Sequence, residues 1–219
     1  MSTRTLHLPA QVHGRCLLSL PEQTQAPGVL LVGFHGYGDR AESSLETLER
    51  IREDRPWALA AIQALHPFYR RSDGEVVASW MTRLDRELAI TDNRLYVART
   101  IEQLRDELAS VHTMAFVGFS QGVAMAYRAA ASSPFPVRAL VCLAGDVPPE
   151  LLREKRRLPP VLLGRGRDDD WYDESKLEED RRTLKEMAGE HEIHVFDGGH
   201  EWQESFVRRA RAFLVEKLA

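Results

Sequence analysis

Gly118-Phe119-Ser120-Gln121-Gly122 stands between two stretches of different character. Before it, Met114-Ala115-Phe116-Val117 is an apolar run suited to a buried strand. After it, Val123 to Ala131 is small and helix-favouring. A strand, a sharp turn and a helix around G-x-S-x-G make a nucleophile elbow, with the serine at the tip of a strained turn. The flanking glycines let strand and helix pass close together. The five-residue pattern alone occurs by chance in Gly-rich turns, so its weight comes from the elements around it. Ser120 is the candidate nucleophile.

Outward from the elbow, strand-like and helix-like segments alternate. That predicts an α/β fold with a mostly parallel central sheet and helices on both faces. Upstream, Val29 to Phe34 reads as a strand buried on both faces, followed by a helix over 42–52 and a strand from Trp57 to Ile62. Thr5 to Leu8 and Gly14 to Leu20 read as an antiparallel edge. Residues 65–93 read as an irregular excursion near the site, with exposed-looking Phe68, Tyr69 and Trp80, and a helix from Asn93 to Leu108 after it. Downstream of the elbow, strands are predicted at 137–143, 160–163 and 191–196, and helices at 174–188 and 201–218. No repeat or linker interrupts this pattern, so residues 1–219 read as one domain.

A net charge of -4 gives no nucleic-acid footprint. No apolar run can span a bilayer, and the first nine residues lack a signal core, which predicts a cytoplasmic protein. Cys16 and Cys142 lie in strand-like segments and read as reduced, buried thiols. No Cys or His pair has ligand spacing, so neither a metal nor another cofactor is expected.

A serine hydroxyl needs a base, and the base needs an orienting carboxylate. In an α/β-hydrolase the chain order is Ser, then acid, then His, each on a loop after a strand. His200 follows Val195-Phe196-Asp197-Gly198-Gly199, the loop after the last predicted strand. His66, His112, His191 and His194 do not fall on that loop. The acid lies among Asp168, Asp169 and Asp170, with Asp169 favoured and Asp146 as a weaker alternative. Developing negative charge on the substrate needs two N–H donors. They are assigned to Gln121, which follows the nucleophile, and to Tyr37 in His35-Gly36-Tyr37-Gly38-Asp39. His35 is expected to shape that turn through hydrogen bonds. Phe68, Tyr69 and Trp80, and likewise Trp171 and Trp202, either line the cleft or pack the core. Arg70, Arg71 and Arg83 read as solvated loop charges.

These pieces together resemble the phospholipase/carboxylesterase family of α/β-hydrolases, which includes acyl-protein thioesterases. The resemblance rests on Phe34-His35-Gly36-Tyr37-Gly38-Asp39, Ser79-Trp80-Met81, the elbow, Leu143-Ala144-Gly145, Gly164-Arg165-Gly166-Arg167-Asp168-Asp169 and Gly199-His200. It implies Ser120, Asp169 and His200 as a catalytic triad, and Tyr37 and Gln121 as oxyanion donors. It implies ester or thioester hydrolysis through an acyl-enzyme, without a cofactor, by a monomer or homodimer. Tyr37 stands where the family commonly has a small hydrophobic residue, Met81 where it has Phe, and Val123 where it often has glycine. Tyr37 and Met81 are thus positions where the acyl pocket can differ. Readings of other classes are a non-catalytic ligand-binding protein on the same fold and an acyltransferase with the same three residues.

Overall fold

The computed structural model of the chain describes residues 2–22 and 26–219. Its first strand, β1 (Cys16–Ser19), pairs antiparallel with β3 (Trp57–Ile62) at one edge of a seven-stranded sheet. Parallel to β3 run β2 (Val29–Phe34), β6 (Thr113–Phe119), β7 (Val137–Leu143), β8 (Val161–Gly166) and β9 (His191–Phe196). The order across the sheet is β1-β3-β2-β6-β7-β8-β9.

The central strands are buried on both faces because they carry Val, Leu, Ala and Phe without alternation. Leu30, Leu31, Val32, Phe116, Leu140 and Leu162 lie in the core, where each side chain of this size contributes roughly 1.5–3 kcal/mol. One core cluster runs from Val29 to Leu214.

Connectivity then places the site. From β2 the chain passes through α1 (Ala41–Arg52) to β3 on one side. From β6 it passes through α3 (Gln121–Ser132) to β7 on the other. Right-handed crossovers running in opposite directions put their helices on opposite faces. Accordingly α1 packs with α6 (Glu204–Leu218), and α3 with α2 (Arg86–Glu107). Where the strand order reverses, a crevice opens beyond the carboxyl ends of β2 and β6. The elbow and the His35-Gly36-Tyr37 loop both leave the sheet there.

Several expected elements differ. Thr5 to Leu8 is not a strand, because its leucines meet no sheet face and Leu6 and Leu8 stay exposed. The excursion over 65–93 is largely regular. It holds a hairpin of β4 (His66–Tyr69) and β5 (Val76–Ser79), turned at Gly74 with φ 74°. Pro67 is tolerated because a two-stranded sheet consists of edges. Helix α2 begins at Arg86, seven residues before Asn93, because its first turns leave Leu88 exposed and so lack an apolar stripe. Trp80, expected to look outward, is fully buried. A short α4 (Pro149–Arg153) precedes β8, α5 (Glu174–Met187) follows it, and α6 starts at Glu204 rather than residue 201. Both cysteines are free, and burial pushes the Cys142 thiol up to about 12.

Candidate active site

Ser120 has φ 50° and ψ −120°, a strained conformation that costs on the order of 1–3 kcal/mol. Strand β7 and the first turn of α3 hold it there. Its N–H donates to the Leu143 carbonyl at 2.9 Å, and its carbonyl accepts from Val123 N–H at 3.0 Å. Glycine is required at 122 because a Cβ there would lie 2.2 Å from the Phe34 carbonyl oxygen. The start of α3 therefore presses directly on the end of β2.

His200 and Asp169 arrive from the next loops along the sheet. The loops after β8 and β9 are tied by Arg167 N–H to the Phe196 carbonyl, 2.8 Å, and Asp168 N–H to the Gly198 carbonyl, 2.9 Å. Gly166 permits this contact, since a Cβ there would sit 2.2 Å from the Gly199 carbonyl oxygen. His200 Nδ1 lies 2.8 Å from Asp169 Oδ2, and His200 Nε2 lies 2.8 Å from Ser120 Oγ. Asp169 Oδ1 accepts from the N–H groups of Trp171 and Tyr172 at 2.9 and 2.8 Å. Asp169 is buried, whereas Asp168 and Asp170 point to solvent. Asp197 is exposed and accepts from Arg167 Nε at 3.0 Å.

The two assigned N–H donors are both unoccupied. Among the described residues, neither Tyr37 N–H nor Gln121 N–H has a hydrogen-bond acceptor. Gln121 opens α3, where backbone donors lack intrahelical partners. The loop bearing Tyr37 is stiffened from several directions. His35 Nε2 accepts from Ala64 N–H at 3.0 Å, so its Nδ1 carries the proton and donates to the Gly36 carbonyl at 2.7 Å. Burial lowers the His35 pKa and keeps this ring neutral. Trp80 Nε1 donates to the His35 carbonyl at 2.9 Å. The side chain of Gln121 completes the frame. Its Oε1 accepts from Trp80 N–H at 2.8 Å and its Nε2 donates to the Met81 carbonyl at 2.8 Å.

A cleft of about 400 Å³ opens in front of Ser120 and His200, with Met81, Trp171, Asp146 and Lys176 among its walls. A smaller cavity of about 140 Å³ lies on the other side of His200, against Phe119 and Trp202. The named aromatics thus separate. Trp171 lines the cleft, Trp80 is a buried strut, and Trp202 packs on Phe119 and Phe206. Phe68 stacks on the Tyr37 ring with centroids 5.4 Å apart, and Tyr69 is exposed on the hairpin. Arg70 is occupied by Asp73 and Glu75, while Arg83 reaches the cleft wall. Among the described residues, no group of three or more His, Cys, Asp and Glu is arranged to hold a metal ion, and no helix is long and apolar enough to cross a membrane.

Asp180 on α5 escaped the sequence reading, because a lone acid on a charged helix has no distinguishing neighbour. It is buried, accepts from Val147 N–H at 3.0 Å, and meets the Tyr172 hydroxyl at 2.7 Å. One carboxyl thereby joins the loop after β7 to the loop holding Asp169. Burial raises its pKa to about 7. The folded state then binds a proton that the unfolded chain, with an ordinary carboxyl, releases near pH 4. This contribution to stability is present below pH 4 and is lost as pH rises through 7. Asp180→Asn, which keeps both hydrogen bonds, should flatten the fall in Tm between pH 4 and 7, a slope of at most about 1.4 kcal/mol per pH unit. An unchanged slope in a thermal-melt series would show that Asp180 does not titrate in that window.

Comparison with known proteins bears on this geometry. The phospholipase/carboxylesterase family profile matches residues 19–218. Among curated proteins, none matches the sequence. Esterase PE8 superposes with a TM-score of 0.76 at 25% identity, covering 94% of this chain and 100% of that one. The Bacillus cereus carboxylesterase gives 0.71 at 17% identity, over 93% and 94% of the two chains. Zea mays acyl-protein thioesterase 2 gives 0.71 at 20%, over 94% and 100%. The latter two establish a shared fold, and the profile match, which takes in every strand but the first few residues of β1, establishes the lineage. This chain belongs to the phospholipase/carboxylesterase family of α/β-hydrolases.

Proposed function

We propose that the chain forms one serine-hydrolase domain that cleaves carboxylic esters, thioesters included, through an acyl-enzyme on Ser120. The observation that carries this reading is the unbroken row Ser120 Oγ, His200 Nε2, His200 Nδ1, Asp169 Oδ2, with 2.8 Å at each gap. An ionised Asp169 accepts from Nδ1–H, which leaves Nε2 free of a proton and facing Oγ. His200 takes the Ser120 proton as Oγ attacks the substrate carbonyl. The oxygen becomes anionic and is received by the N–H groups of Tyr37 and Gln121. His200 then gives its proton to the departing alcohol or thiol. Water, deprotonated by the same nitrogen, attacks the acyl-enzyme and releases the acid and Ser120. The two N–H groups of Trp171 and Tyr172 on Asp169 Oδ1 keep the carboxylate from rotating away during both steps.

The direct test is hydrolysis of p-nitrophenyl acetate, butyrate and octanoate, together with fluorophosphonate labelling. The expected result is turnover of at least one ester and labelling that maps to Ser120. No turnover and no labelling would refute the reading and favour a binding protein on this fold.

A further inference from the structure

The cleft in front of Ser120 has a charge opposite to that of the molecule around it. The chain carries a net charge of -4. Yet Arg83, Arg86 and Lys176 line this cleft against one carboxylate, Asp146. Among the described residues, Arg83 and Lys176 form no ion pair within 4 Å, though Lys176 lies near enough to Asp173 to help lower its pKa. Arg86 pairs with Glu87 at 3.5 Å, a carboxylate that is 88% exposed, and also acts at longer range on Glu150. Lys176 Nζ donates to the Trp171 carbonyl at 2.6 Å, which holds the ammonium beside the cleft wall.

A fourth cation lies behind the wall. The Arg128 side chain on α3 is fully buried, with Nε donating to Glu150 at 2.7 Å. Its Nη1 lies 3.9 Å from the sulfur of Met81, itself a cleft residue, and among the described residues its Nη2 has no hydrogen-bond partner. Scattered surface cations are ordinary and weak. Here three converge on one concavity shared with the nucleophile, while the charge of Arg128 is offset by its ion pair with Glu150. Low-dielectric walls focus such a field into the cleft.

We propose that this cleft selects esters bearing an anionic group, a carboxylate or a phosphate, and that Arg83, Arg86 and Lys176 are the residues that read it. The proposal rests on the serine-hydrolase reading above. The anion resides either on the acyl part or on the leaving alcohol, since both must lie within reach of Ser120 while the carbonyl is attacked.

Two matched substrate pairs distinguish these sources. One is p-nitrophenyl hydrogen glutarate against its methyl ester, which places the charge on the acyl side. The other is para-acetoxybenzoate against its methyl ester, which places it on the leaving group. In at least one pair kcat/KM for the anion should exceed that for its neutral twin about tenfold at low salt, and the ratio should shrink as salt rises. Arg83→Gln, Arg86→Gln and Lys176→Gln should each lower that ratio about twofold, and the triple variant should bring it to roughly one. Arg138→Gln, at the amino end of β7 and thus at the opposite end of the strands from the cleft, should leave the ratio unchanged. A ratio near one for the unaltered protein in both pairs, or one that survives the triple variant, overturns the proposal while leaving the hydrolase reading standing. No turnover of any ester with no labelling of Ser120 overturns both.

Discussion

Ser120→Ala should lower kcat for ester hydrolysis by about five to six orders of magnitude, and His200→Ala by about as much. The reason lies in the series arrangement of the three groups. With Oγ gone, the base has nothing to activate. With the imidazole gone, the hydroxyl keeps its proton. The double variant should therefore be hardly slower than either single one, in contrast to the multiplication expected of independent contributors. Asp169→Asn should cost about four orders of magnitude, because a side-chain amide turned to donate toward Nδ1 would favour the tautomer with its proton on Nε2, facing Ser120. Steady-state rates on a single p-nitrophenyl ester decide all three. Losses that multiply, or a Ser120→Ala variant retaining a per cent of activity, would mean that Ser120 is not the nucleophile. Since Ala fits the elbow no worse than Ser, Tm should hardly change.

Much of the candidate site's geometry was legible in the sequence because its residues sit at points of backbone punctuation. Gly118-Phe119-Ser120-Gln121-Gly122 marks the turn itself, and Gly198-Gly199 marks the loop that delivers His200. The three adjacent acids could be ranked, but burial separates them: Asp169 turns in to meet Trp171 and Tyr172 N–H while its neighbours face water. The hairpin over 66–79 and the early start of α2 were hidden for a shared reason. Both lie partly outside the core, so their side chains follow no strict period. Trp80 stood in a segment read as irregular and exposed-looking, with cleft lining and core packing both open. Its burial is a tertiary effect, set by the His35 carbonyl that its ring nitrogen reaches from 45 residues away. The cationic cleft was equally hidden, since Arg83, Arg86 and Lys176 are far apart along the chain or sit among other charges.

The second large effect concerns folding as much as rate. Gly122→Ala would place a methyl 2.2 Å from the Phe34 carbonyl oxygen and 2.5 Å from that of His35. Both are backbone atoms, so relief requires α3 and β2 to separate. That should cost roughly 3 kcal/mol or more. For a chain of this size Tm should drop by about 6–12 °C. Activity should fall further than stability implies, because the same displacement pulls Gln121 N–H away from Tyr37 N–H. Gly189→Ala is the matched control, since a Cβ at that position meets nothing within 4 Å. Equal melting temperatures for the two variants would show that the contact between α3 and β2 is slack.

Gln121 belongs to two assemblies at once. Its backbone N–H is the proposed oxyanion donor, and its side chain grips Trp80 and Met81, whose segment forms a wall of the cleft. Such a residue restricts how the protein can diversify. A new substrate wall grafted between β5 and α2 is constrained to present one N–H and one carbonyl in the places Trp80 and Met81 now occupy. Otherwise the amide loses its grip and the oxyanion donor shifts with it. Side chains at 81 and 83 remain open to exchange, while the backbone path beneath them does not. Library design for altered specificity should therefore vary residue identity along this wall and hold its length fixed.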